Sequence, residues 1–154
     1  MTCTHSNTAI DSYTNTPSSY SKKTYSYTAS NTGVAILEFG FQAKTSSKSW
    51  HLDDVSIINN NVSNSEMLVN GNFESGTLMG WQVQCSASNA CSGSGGQLST
   101  STCYSGTYCY DGECIGKYDF LRQAFLVTAG HSYTLSFWLK SDGQSQQYAY
   151  VKIV

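Results

Sequence analysis

Two short stretches carry the side chains best suited to chemistry. Asp53-Asp54 sits inside WHLDDVSII, and Asn70-Gly71-Asn72-Phe73-Glu74-Ser75-Gly76 follows soon after it. Together they offer carboxylate and amide oxygens beside flexible backbone. Hard donors of this kind suit calcium, which takes roughly six to eight oxygens in loose geometry. The spacing is not that of an EF-hand loop. Read as local structure alone, the second stretch is an Asx-type turn and the first a solvated strand end. The other chemistry the chain could carry is thin. A glycosidase needs two carboxylates facing each other across a cleft, and none of the 10 acidic residues points to such a pair. His51 lies near Asp53 but has no nucleophile beside it, and reads as a surface histidine. No GxSxG, HExxH, phosphate-binding loop or GxGxxG occurs. The expectation is that the chain is not an enzyme.

The cysteines point to the environment. Five of the 6 crowd between Cys85 and Cys114, and Cys3 stands apart. An even number, clustered in a stretch poor in apolar residues, predicts disulfides and an oxidising compartment. Cys85 and Cys91 are near enough to close a small loop. Cys103, Cys109 and Cys114 then compete for partners, with Cys3 taking the one left over. No CxxC occurs and the histidines lie far from the cluster in sequence, which argues against zinc. Asn61-Val62-Ser63 is a glycosylation sequon. Charged residues make up only 12% of the chain and the formal charge is −2, so nothing electrostatic calls for nucleic acid or an anionic membrane. No apolar run approaches the ~18 residues of a membrane span, and the first 20 residues do not form a signal peptide. A disulfide-rich, sequon-bearing chain of this kind reads as a piece of a longer secreted protein.

The elements that must position these groups are strands. The chain has 11 tyrosines and one proline, and no segment keeps helical periodicity over three turns. KTYSYTA, from Lys23, alternates with Tyr25 and Tyr27 on one face. In VAILEFGFQA, Ala35, Leu37, Phe39, Phe41 and Ala43 share a face, and Val34, Ile36 and Glu38 share the other. DFLRQAFLV, HSYTLSFWLK and QYAYVKIV follow late in the chain. Several short strands divided by turn signals predict an all-β sandwich or barrel. Tyr133, Leu135, Phe137 and Leu139 form an apolar face, which leaves Trp138 on the polar one. Tyr148 and Tyr150 join Lys152 opposite Ala149, Val151 and Ile153. If the last two strands are neighbours, Trp138, Tyr148 and Tyr150 make one aromatic platform. Flat rings of this kind stack on the C–H faces of sugars; read as structure alone, the face packs under a loop or against the second sheet, since tyrosine is common in strands.

LVNGNFESGTLMGW, from Leu68, resembles the opening of the galactose-binding-like jelly-roll modules, the β-sandwich carbohydrate-binding modules attached to glycanases. WHLDDVSI, from Trp50, resembles their closing strand. The ending therefore precedes the beginning. The resemblance implies a circularly permuted jelly-roll β-sandwich, cut out of frame from a tandem array. Residues 1–58 resemble the C-terminal half, 59–65 form a linker and 66–154 resemble the N-terminal half, in one module. It also implies a structural calcium held by Glu74 and Asp53, with Asn72 and Asp54 as lesser ligands. Trp81 belongs to the opening motif and is expected in the core. The implied function is a secreted, non-catalytic module that binds a glycan, with neighbouring repeats of the same protein as further partners. The alternative is a structural or adhesive repeat unit with no small-ligand site.

Overall fold

The computed structural model describes residues 8–14, 18–45, 48–85, 91, 95–143 and 146–154. Their strands are β1 (Asp11–Thr14), β2 (Ser21–Thr28), β3 (Gly33–Gln42), β4 (Trp50–Asn59), β5 (Ser65–Glu66), β6 (Gln82–Gln84), β7 (Gln97–Ser99), β8 (Cys109–Gly112), β9 (Asp119–Val127), β10 (Ser132–Ser141) and β11 (Tyr148–Ile153). No helix occurs among the described residues. The strands form two antiparallel sheets. The five-stranded one runs β1-β11-β3-β9-β6, and the other runs β2-β10-β4-β8-β7 with β5 beside β4. This is the expected sandwich.

Period-two alternation explains which side chains lie between the sheets. Leu37, Phe39 and Phe41 of β3 face Tyr133, Leu135, Phe137 and Leu139 of β10, all buried. Phe39 meets Phe137 edge to face at 4.9 Å, a favoured aromatic geometry. Strands from the two ends of the chain alternate within each sheet. β3 lies between β11 and β9, and β10 lies between β2 and β4. Residues 11–59 therefore cannot close a sandwich without residues 65–154, nor the reverse.

One strand breaks the alternation. Ser136 pairs with Ser56 and Trp138 with Asp53, so β4 carries one extra residue. That bulge holds Asp54 at φ 46°. Trp50 and Leu52 point into the core before it, Val55 and Ile57 after it. An added residue restores an inward face that a regular strand would lose. Asp53 and Asp54 thus both turn away from the core. The Val55 N–H donates to the Gly71 carbonyl at 2.9 Å. A Cβ on Gly71 would fall 1.9 Å from the Val55 oxygen, so only glycine permits this approach. Beyond it Phe73 and Trp81 stack at 5.6 Å in the core, and the Trp81 indole N–H donates to the Asn70 carbonyl. Asn70 binds three further backbone groups of its own turn. The opening motif is built for packing, as expected of Trp81.

Candidate functional site

The aromatic platform does not form as expected. β10 and β11 follow one another in sequence but lie in different sheets, so Trp138 is on one outer face of the sandwich and Tyr148 and Tyr150 are on the other. A jelly roll sends successive strands across the sandwich, and a short connection between strands does not oblige them to pair.

The outer face of the five-stranded sheet centres on Glu38, whose carboxylate is fully buried although it points away from the core. Two neighbouring strands supply its partners. Arg122 of β9 bonds it through Nε and Nη2, Lys152 Nζ of β11 lies at 3.2 Å, and the Tyr150 hydroxyl donates to it at 2.6 Å. Arg122 also donates from Nη1 to Gln84 Oε1 at 2.6 Å. Cross-strand register places these residues side by side. A buried carboxylate is tolerated only when paired and hydrogen-bonded; here two cations and a phenol do so. The Tyr150 ring lies over Gly40, where a Cβ would come within 2.1 Å of its Cε1. Tyr118 meets Tyr150 edge-on at 5.5 Å. Tyr150 is therefore buried, while Tyr148 is 38% exposed. Two depressions flank this ridge. One, of about 270 Å³, is lined by Gln82, Gln84, Arg122, Gln123 and Ile36. The other, of about 290 Å³, is lined by Gln42, Lys44, Gln146 and Tyr148.

The opposite face is roofed by the protein's own chain. Tyr104 stacks on Trp138 with centroids 3.9 Å apart and planes 13° apart. Tyr20 packs edge-on against Tyr104 and donates its hydroxyl to the Thr102 carbonyl at 2.6 Å. Beside them His51 is buried rather than at the surface. Nδ1 lies 2.7 Å from Asp111 and Nε2 lies 3.0 Å from Asp142. Burial alone would pull the imidazole down, but hydrogen bonds to Asp111 and Asp142, and their charge, outweigh it and hold His51 above its ordinary value. Burial raises Asp142, yet the Ser49 N–H and His51 together bring it below the usual carboxylate range. Both ring nitrogens facing carboxylates requires the imidazolium, since neutral imidazole has one N–H. His51 clasps β4 to β8 and to the turn after β10.

The four oxygen donors matched to calcium have another task. Glu74 accepts the Thr107 N–H at 2.9 Å and the Tyr108 N–H at 3.0 Å. Asp53 accepts the Ser105 N–H at 3.1 Å and the Asp54 N–H at 2.8 Å, and Asp54 accepts the Ser105 hydroxyl at 2.9 Å. Asn72 accepts the Glu74 N–H in an Asx turn. The carboxylates clamp the 104–108 loop by its backbone. Among the described residues, Asp53 with Cys103 and Cys109 is the group of three close enough to share an ion, and those two cysteines are joined in a disulfide. Asp53, Asp54 and Glu74 do not gather into such a group. Their lone pairs are directed at N–H and O–H donors of the chain.

The disulfides are present with a different pairing. Cys91 joins Cys114 and Cys103 joins Cys109. Cys91 does not close a small loop with Cys85, which is itself disulfide-bonded. Cys3 lies outside the described residues. The nested pairing follows from register: β8 carries Cys109 beside Ser99 of β7, which brings Cys103 over it. Sequence reading assigned no role to Glu38, Arg122 or the glutamines. Glu38 alone had a visible signal, as a charge within an otherwise apolar strand, but its partners lie 84 and 114 residues away.

No curated protein and no solved structure matches the chain. The family described as Carbohydrate binding domain matches residues 65–154, more than half of it. With that share of its length matched, the chain belongs to this carbohydrate-binding family.

Proposed function

We propose that this carbohydrate-binding module is a secreted, circularly permuted galactose-binding-like unit that holds its glycan on the outer face of the five-stranded sheet. The observation that carries the choice of face is the Lys152–Glu38–Arg122–Gln84 row between two open depressions. Guanidinium, amide and carboxylate groups match pairs of sugar hydroxyls, and Tyr148 offers an exposed ring for the sugar's apolar side. Trp138 has one ring face already occupied by Tyr104, which argues against it as the platform. The permuted order is supported by a family match that begins at Ser65, while residues 11–59 supply strands that lie between those of the matched region. The disulfides support passage through an oxidising compartment. A non-catalytic role fits a site whose buried carboxylate is tied up by two cations.

Calorimetric titration against a broad panel of soluble polysaccharides tests the face. Tyr148→Ala is expected to weaken binding about tenfold, equivalent to about 1.4 kcal/mol, with unfolding unchanged. Trp138→Ala is expected to keep the affinity. The reverse pattern would move the site to the other sheet. Silence of the wild type across the panel would favour a structural repeat unit instead.

A further inference from the structure

We infer that Asn61 is an N-glycosylation site that the folded module is shaped to carry. Residues Asn59, Asn60 and Asn61 stand in a row at the end of β4, and the fold treats their side-chain amides differently. Asn59 Nδ2 bonds His131 and the Tyr133 hydroxyl. Asn60 Nδ2 donates to the Ser132 hydroxyl and to Thr134 Oγ1 at 3.0 Å. Among the described residues Asn61 uses only its oxygen, which accepts the Ser132 N–H at 2.8 Å, and its Nδ2 makes no hydrogen bond. N-glycosylation needs this division of labour. The Nδ2 atom forms the new bond to C1 of the sugar, and the carbonyl oxygen stays free to accept. The same residue begins the one sequon, Asn61-Val62-Ser63.

The surroundings agree. Asn61, Val62 and Ser63 are all exposed in the turn between β4 and β5. Val62 is 49% exposed, and a first sugar ring on Asn61 would lie beside it. The turn joins strands of the six-stranded sheet, so a glycan there leaves the Glu38 face of the other sheet clear. The disulfides place the chain in the oxidising compartment where this modification is made. The co-reactant is an oligosaccharide linked through pyrophosphate to a lipid. The Asn61 amide nitrogen attacks C1 of the donor, the bond from C1 to the pyrophosphate oxygen breaks, the lipid pyrophosphate leaves and the displaced amide proton passes to the enzyme's base. The inference does not depend on which face binds glycan.

The test is secretion of the whole chain from cultured eukaryotic cells, alongside a known secreted glycoprotein, followed by intact-mass measurement. The expected product carries one N-glycan, and amidase treatment removes it and leaves Asp at position 61. Asn61→Gln and Ser63→Ala should each give the bare mass, and Asn60→Gln should keep the glycan. Thermal unfolding of the glycosylated protein should match or exceed that of the same chain secreted from Asn61→Gln. Bare wild-type protein secreted beside a glycosylated control would overturn the inference. So would a glycosylated form that unfolds several degrees below the bare one.

Discussion

The two outer faces of the sandwich are built from the same kinds of side chain and put them to opposite use. On the six-stranded sheet, Trp138, Asp53 and His51 are turned inward on the molecule itself: a tyrosine covers the tryptophan, loop amides take the aspartate and two carboxylates hold the histidine. On the five-stranded sheet, Tyr148 and the guanidinium of Arg122 border open depressions. An aromatic residue on a polar strand face is therefore an ambiguous sign of a sugar platform. What decides is whether a loop from elsewhere in the chain arrives first, and the Cys103–Cys109 loop arrives first at Trp138.

The sharpest probe is pH, because Asp53 under the roofed face and Asp119 between the sheets are both buried acids. Asp119 begins β9 and accepts the Tyr110 hydroxyl at 2.7 Å from the other sheet. Burial pushes its carboxyl up to about 7, and burial likewise pushes Asp53 up to about 6. In both, the folded state binds the proton more tightly than the unfolded chain does. The stability they contribute is complete below about pH 3.8 and is lost as pH rises through about 6 to 7. His51, also raised, adds a term of the same sign, lost above about 6.5. The depressed Asp142 opposes them only in stronger acid. Thermal unfolding should therefore be highest in mild acid and fall toward pH 8. For Asp119 alone the term is on the order of 4 kcal/mol. Asp119→Asn should flatten the profile between pH 4 and about 7; an unchanged slope would remove Asp119 as its source.

Cutting the staples comes next in size. Replacing Cys91 and Cys114 with serine releases a 23-residue separation and should lower stability by about 3 kcal/mol on a chain-entropy account. Replacing Cys103 and Cys109, only 6 apart, should cost about 2 kcal/mol. The second pair alone should change tryptophan fluorescence, because it frees Tyr104 from Trp138, while glycan affinity stays put. Loss of affinity in that variant would mean the roofed face is the binding face.

The smallest effect belongs to Glu74. Glu74→Ala removes the acceptor of the Thr107 and Tyr108 N–H groups. Water can reach these amides, so about 1 kcal/mol is expected. Unfolding in calcium and in chelator should fall by the same amount. A rise with calcium that vanishes in the variant would give Glu74 a metal after all.

Much of the fold was legible in the chain, and the reasons differ by element. The inward faces of β3 and β10 followed from strict alternation of large apolar residues, which has one solution in a sandwich. The β4 bulge was not read, because WHLDDVSII passes for an ordinary strand until its register with β10 is seen. Sheet membership was not. Nothing local in β10 or β11 records that one crosses to the far side. His51 was misread for a related reason: its partners lie 60 and 91 residues away. Cysteine count gave the presence of disulfides, but pairing depends on which strand lies under which loop. The residues of the candidate site were the hardest to find. Glu38, Arg122 and Lys152 are ordinary in isolation and become a site only through the register of three strands.

The edge pair β1–β11 has a mechanical consequence. Asp11 pairs with Val151 and Thr14 with Tyr148 in antiparallel register, and the Ile10 N–H bonds the Val151 carbonyl. Residues 10 and 154 therefore leave the sheet at the same end of one ladder. A pull applied at those two points loads the ladder's hydrogen bonds one after another, as in opening a zipper, and never all at once in shear. β1 would peel away under a small force, while β11 stays held by the six register pairs it shares with β3. Strung between anchored neighbours, such a module would first lengthen by one strand, drawing Tyr13 away from Phe137 as it went.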